Sequence, residues 1–319
     1  MTMTAFPPSH TTAAVSPAQR LQSRFAAVRV SFTWLGVRKT LTADQRAQAA
    51  ESFGAEGQFL CAGKKLLDTR DEHFQAVTSL RTRIGSYWKS LSLPYPEPGL
   101  RLIRQDDVES FDQQMRRFKD ELDEAVTTLD AHLETLKADA QVRLGSLYNP
   151  ADYPISLIGL FGVAWEFPII SPPDYLRQLN PALFEQERQR MAARFEEAVK
   201  LAETAFVAEF AKLIEHLTER LAAGPEGQAK VFRDSAITNL TEFFQRFKIL
   251  NVRSNAELDR LVETAQQAVQ GLAPQDVRDN DQLRQQVANQ LASVQSVLDG
   301  LLVDAPRRKI LRPTLQQTQ

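Results

Sequence analysis

The 319-residue sequence predicts a mostly α protein: a long antiparallel, coiled-coil-like helical hairpin, a small β element and a C-terminal set of helices. Three observations carry this. Residues 106–144 contain no Pro or Gly and keep an apolar stripe through Phe118, Leu122, Val126, Leu129, Leu133, Leu136, Ala140 and Leu144. Residues 181–222 repeat the pattern, with Met191, Ala202 and Leu213, then Phe195, Phe206 and Leu217, then Val199, Phe210 and Leu221, each spaced by eleven. Residues 28–34 alternate instead, with Val28, Val30, Phe32 and Trp34 against Arg29, Ser31 and Thr33, as a half-buried strand does.

Met1–Pro17 is rich in Thr, Ala, Pro and Ser, and 1–17 reads as a disordered tail. Helical spacing begins at Leu21, Phe25 and Val28, and the strand over 28–36 follows. Thr42 stands where a hydroxyl can accept an orphan amide at the start of a short helix over 43–53. Gly54, Gly57 and Gly63 mark a loop. A helix over 71–91 turns Phe74, Val77, Leu80, Ile84, Tyr87 and Trp88 inward, and Pro94, Pro96, Pro98 and Gly99 end it. Residues 100–104 can form a short strand. The 39 residues of 106–144 would span roughly 58 Å at the helical rise. Between the long helices, Asn149-Pro150, Tyr153-Pro154 and Ser171-Pro172-Pro173 supply turns, and the apolar run 157–167 reads as the second strand. Helices over 228–250, 255–272 and 281–303 complete the chain, the last with Leu283, Val287, Leu291, Val294 and Leu298 on one face. This organisation is a helical body over 18–222, C-terminal helices over 228–303 and a basic tail over 304–319.

Charge is unevenly spread. Residues 1–43 hold five basic side chains and no acid, and 305–319 hold four and no acid, which leaves 29 basic and 40 acidic residues, net −11, over 44–304. One Cys excludes a disulfide framework and a four-thiolate metal site. No apolar run approaches the ~20 residues of a membrane span, so no membrane partner is expected. The acid-free N-terminus has the Ser, Thr and Arg content of a transit peptide but lacks an apolar core segment, and the cytoplasm is the expected location.

No chemistry is marked locally. The run GQFLCAGKK over 57–65 resembles a phosphate loop, but Gln58 stands where the first Gly belongs and Lys65 where a metal-binding hydroxyl belongs. His10, His73, His132 and His216 have no His or Cys three or four residues on, so no helical metal pair exists. Cys61 has no nearby base in sequence, and Asp120, Glu121, Asp123 and Glu124 lie opposite an apolar stripe as a solvated face. No catalytic, metal or cofactor residue is therefore assigned. The functional candidates are Arg29, Trp34, Arg38, Lys39, Lys64 and Lys65. With Phe25 and Phe32 they can form a stacking and phosphate-contacting platform, whereas strand alternation would instead bury the aromatics.

The segments FTWLGVRKTL (32–41) and CAGKKLLD (61–68), the helix ended by a Pro/Gly turn before a long acidic helix, and 148–169 with its GVAWEF strand share an order. In that order the chain resembles, over about residues 28–220, a family of bacterial and phage proteins classed as a domain of unknown function and often encoded beside MoxR-type AAA+ ATPases and von Willebrand-type proteins. The resemblance implies an accessory, non-enzymatic subunit of a bacterial or mobile-element system and supplies no catalytic residues. The expected function is a structural or interaction protein whose partners are proteins, an AAA+ ATPase or a second copy of the chain. The alternative is nucleic-acid binding through the basic N-terminal segment and tail.

Overall fold

The computed structural model describes residues 15–221, 235–272, 275 and 280–303. The tail over 1–14, the Gly224-Pro225 stop, the start of the helix expected over 228–250 and the basic tail with Arg307, Arg308, Lys309 and Arg312 lie outside the described residues. The chain is mostly helical with a small antiparallel sheet. It forms two compact units, with a division at 169/170.

The first unit comprises 26–92 and 97–169. The four-stranded sheet, most of which lies in this unit, runs in the order β4 (Ser92–Pro94), β5 (Leu100–Arg104), β1 (Phe25–Trp34), β6 (Phe161–Glu166). The two expected strands pair antiparallel, with Val30 opposite Trp165, Phe32 opposite Val163 and Trp34 opposite Phe161. Alternation turns these residues toward one core, which they share with Phe74, Val77, Leu80 and Ile84 of α3 (Glu72–Ser90) and with Phe111, Met115, Phe118 and Leu122 of α4 (Val108–Ala131). Asp71 caps α3 by accepting the Phe74 amide at 2.9 Å.

The single helix expected over 106–144 is two. A 3₁₀ turn covers Gln105–Asp107, α4 ends at Ala131, and α5 (Leu133–Leu144) begins after His132. The cause is local competition for one carbonyl. His132 Nδ1 lies 2.9 Å from the Thr128 oxygen, and the His132 amide turns instead to Leu129 O at 3.1 Å. The His73 ring stacks on that of His132 at 3.9 Å.

The second unit is a helical assembly around α7 (Pro181–Leu221), an unbroken 41-residue helix. The short helices α1 (Pro17–Arg24) and α6 (Tyr175–Leu179) pack on α7, as do α8 (Ser235–Leu250) and α10 (Asp281–Val303). Helix α9 (Ala256–Val269) packs on α8 and α10. Most of the apolar stripe read from the sequence is buried, with Phe195, Ala202, Phe206, Phe210 and Leu217 inside and Met191 and Leu213 half-buried. Phe210 stacks on Phe243 at 5.1 Å, and Phe206 meets Phe247 edge-on at 5.0 Å. Among the described residues, α4 has α3 and β6 as its main partners, and α7 has α10, α1, α8 and α6. The two long helices are thus drawn into separate packings, and the hairpin expected between them is not confirmed.

Candidate functional site

The basic candidates converge on a two-stranded ribbon in the sheet unit. β2 (Arg38–Thr40) pairs antiparallel with β3 (Gly63–Lys65), placing Arg38 opposite Lys65 and Lys39 opposite Lys64. The ribbon is extended at its base by Leu66 N to Val37 O at 2.8 Å, and toward its tip by Leu41 N to Ala62 O at 3.1 Å. Run 63–65 is therefore a strand, with its Gly-Lys-Lys in a ladder rather than around an anion.

Like charges directly opposite each other destabilise a sheet. Here one pair is neutralised from elsewhere in the chain. Asn149 and Pro150 start a 3₁₀ turn, Pro150–Asp152, in which Asn149 accepts the Ala151 amide at 3.0 Å and Pro150 presets the backbone. This presents Asp152 between the two lysines: Lys39 Nζ lies 2.6 Å from Oδ1 and Lys64 Nζ 2.6 Å from Oδ2. The Asp152 side chain is 4% exposed and that of Lys64 is 6% exposed. Lys64 also donates to the Leu147 carbonyl at 2.5 Å. Hydrogen bonding from Lys39, then from Lys64, holds the Asp152 carboxyl below the usual carboxylate range. Next to it, burial pushes the Tyr153 hydroxyl up, and that hydroxyl donates to Leu66 O at 3.0 Å.

The remaining candidates separate into engaged and free. Arg29 faces Glu166 across β1 and β6 and bridges it at 2.9 Å and Glu97 at 2.8 Å. Trp34 meets the Phe161 ring edge-on at 5.0 Å, and the Arg81 guanidinium lies 4.7 Å above Trp34 and 5.4 Å from Phe32. The aromatic face on which a base would stack is thus already covered by Arg81. Arg38 and Lys65 share the ribbon face turned away from Asp152, are exposed, and make no ion pair among the described residues.

The loop joining β2 to β3 is a helical arm over 41–62. Thr42 and Gln45 form a reciprocal capping box at the start of α2 (Ala43–Glu51). After it, the Ala55 amide donates to Ala50 O and the Gly54 amide to Glu51 O, with Gly54 at φ 62°, which is a Schellman ending. A 3₁₀ turn, Gly57–Phe59, then folds back on α2, and a Cβ at Gly57 would sit 2.8 Å from the Ala47 Cα. Only glycine permits that approach. Alanines dominate the arm's apolar content, Ala50 is its one buried residue, and Phe53 and Phe59 are each 82% exposed. The arm also carries Asp44, Glu51 and Glu56 against Arg46 alone.

Reasoning from sequence missed Asp152, Arg81 and the two arm phenylalanines. A signal for the last was present: a helix doubly capped yet carrying only alanine as its apolar content has little to bury. Among the described residues, no group of three or more His, Cys, Asp or Glu is arranged to hold a metal ion, and no helix is long and apolar enough to cross a membrane. The stacked His73 and His132 rings oppose their faces, and Cys61 is exposed. Compared with known proteins, the chain matches no family model, no curated sequence and no solved structure.

Proposed function

We propose that this chain is a non-enzymatic interaction protein, an accessory subunit of a multiprotein system, that docks a protein partner through the arm over 41–62. The observation that carries this reading is the exposure of Phe53 and Phe59 on an element with complete internal capping. Two large apolar side chains held in water on a preorganised support favour association, because burying them removes apolar area from water at low ordering cost. The fate of the basic candidates speaks against the nucleic-acid alternative. Arg29, Lys39 and Lys64 are each engaged by carboxylates of this chain, and Arg81 covers the Trp34 and Phe32 rings. Phosphate contact at Arg29, Lys39 or Lys64 would have to displace those internal partners.

Retention on heparin and titration with single-stranded and duplex DNA over a salt series test the reading. The expected result is weak binding, unchanged in a variant with Arg29, Arg38 and Lys39 replaced by Gln. Tight DNA binding at physiological salt would overturn it if the triple variant lost that binding and its log-affinity against log-salt slope fell by up to about three contacts' worth.

A further inference from the structure

We propose that the arm over 41–62 and the β2–β3 ribbon together form a reciprocal docking surface for a second copy of this chain, the arm of each copy lying on the ribbon of the other. The inference rests on the arm being the docking element, as argued above, and adds the partner. It starts from opposite charges built into adjacent parts of one hairpin. The ribbon strands carry Arg38, Lys39, Lys64 and Lys65, of which Asp152 engages Lys39 and Lys64, so the face bearing Arg38 and Lys65 remains positive. The loop between those strands carries exposed Asp44, Glu51 and Glu56 and the half-buried Arg46, so it is negative. An acidic partner would suit the ribbon but be repelled by the arm, and a basic partner the reverse. A surface offering both signs in the opposite order suits both at once, and a second copy turned about a two-fold axis offers that order.

The geometry also closes. A two-fold interface is self-complementary, so arm on ribbon is satisfied twice and the assembly stops at two chains without growing into a filament. Four phenylalanines, 82% exposed in the free chain, would contribute roughly 650 Å² of apolar surface at the centre. That is a substantial part of the area a specific interface needs, with the charged residues as its rim. Gly57 against α2 and the Schellman turn at Gly54 preorganise the arm, so little ordering is demanded when it docks.

Sedimentation velocity of the full chain at tens of micromolar and moderate salt tests the proposal. The expected species has twice the 35.9 kDa chain mass and dissociates as salt is raised. Replacing Phe53 and Phe59 together by Ser, at exposed positions where folding is not at stake, yields monomer. Reversing the ribbon (Arg38→Glu with Lys65→Glu) or the arm (Glu51→Lys with Glu56→Lys) weakens the dimer by about tenfold or more, because like charges then face each other. Mixing the two reversed chains restores a heterodimer, since each arm again meets a ribbon of opposite sign. Circular dichroism of each variant confirms that it is folded. A wild-type chain that is monomeric at every concentration overturns the second-copy assignment while leaving docking of a different protein intact. A dimer that survives the Phe53/Phe59 substitutions, or reversed chains that fail to pair with each other, overturns the arm-on-ribbon surface.

Discussion

Replacing Asp152 by Asn tests whether one carboxylate holds the ribbon together. The change keeps the side-chain shape and removes the charge shared by Lys39 and Lys64, each 2.6 Å away. What remains is a Lys64 ammonium with a side chain 6% exposed, facing a second lysine across the ribbon. Removing one member of a buried ion pair costs roughly 3–5 kcal/mol, chiefly because the other charge is left without compensation. The Leu147 carbonyl still accepts from Lys64, and Lys39 can swing into water, so the loss should lie near about 3 kcal/mol. All three Trp residues, Trp34, Trp88 and Trp165, lie in the sheet unit, so urea unfolding followed by Trp fluorescence reads this unit alone. Adding Lys64→Met to Asp152→Asn should recover most of the loss, because an apolar side chain needs no counter-charge. The acid limb carries the same signature. The Asp152 carboxyl is held below its ordinary value in the folded chain, so its contribution is complete above about pH 4, where the unfolded carboxyl is also ionised. It is lost as pH falls below that, and wild type and Asp152→Asn should converge there. A single variant within about 0.5 kcal/mol of wild type at neutral pH, or a double variant no better than the single, would refute the reasoning.

Two further outcomes follow from packing. Gly57→Ala places a Cβ 2.8 Å from the Ala47 Cα, a backbone atom that cannot yield, so the 3₁₀ turn should detach from α2. Amide exchange at Ala55, Phe59 and Leu60 should speed up while Trp-monitored unfolding moves by less than about 1 kcal/mol, and unchanged protection of those amides would contradict the close approach. Phe206→Ala removes a ring that is 6% exposed and packs on Phe243 and Phe247 of α8, and should cost about 3–5 kcal/mol in unfolding followed by circular dichroism.

Long elements with strong periodicity were legible in the sequence. The eleven-residue series on 181–222 corresponds to the buried side of α7, and the alternation at 28–34 to the face of β1 turned toward the core it shares with α3 and α4. Both patterns are set by burial over many residues, and burial repeats where neighbours are the same core. The break at His132 was not legible, because the stripe runs through it. Leu129, Leu133 and Leu136 are all buried, and the interruption comes from one imidazole that takes the Thr128 carbonyl and stacks on His73 of α3. The ribbon was hidden for a different reason. Each strand has three residues, too few for alternation to register, and the arm separates them, whereas short-range hairpin signals depend on loops of about two to five residues.

The candidate site illustrates why charge counted along a sequence says little about charge available at a surface. Basic and aromatic side chains, Arg29, Trp34, Arg38, Lys39, Lys64 and Lys65 among them, cluster between 29 and 65. The clustering is real, but the counter-charges come from far along the chain: Glu97 and Glu166 for Arg29, and Asp152 for Lys39 and Lys64. Strand register then decides what is left. Paired residues on an antiparallel ribbon share a face, so the pair Lys39 and Lys64 turns together toward Asp152, and the pair Arg38 and Lys65 turns together toward solvent. A one-residue slip of β3 would turn Lys64 away from Asp152 and from the Leu147 carbonyl and bring Gly63 and Lys65 to that face instead. In the observed register Asp152 neutralises Lys39 and Lys64, and Arg38 and Lys65, together with the phenylalanine-bearing arm, are left facing solvent.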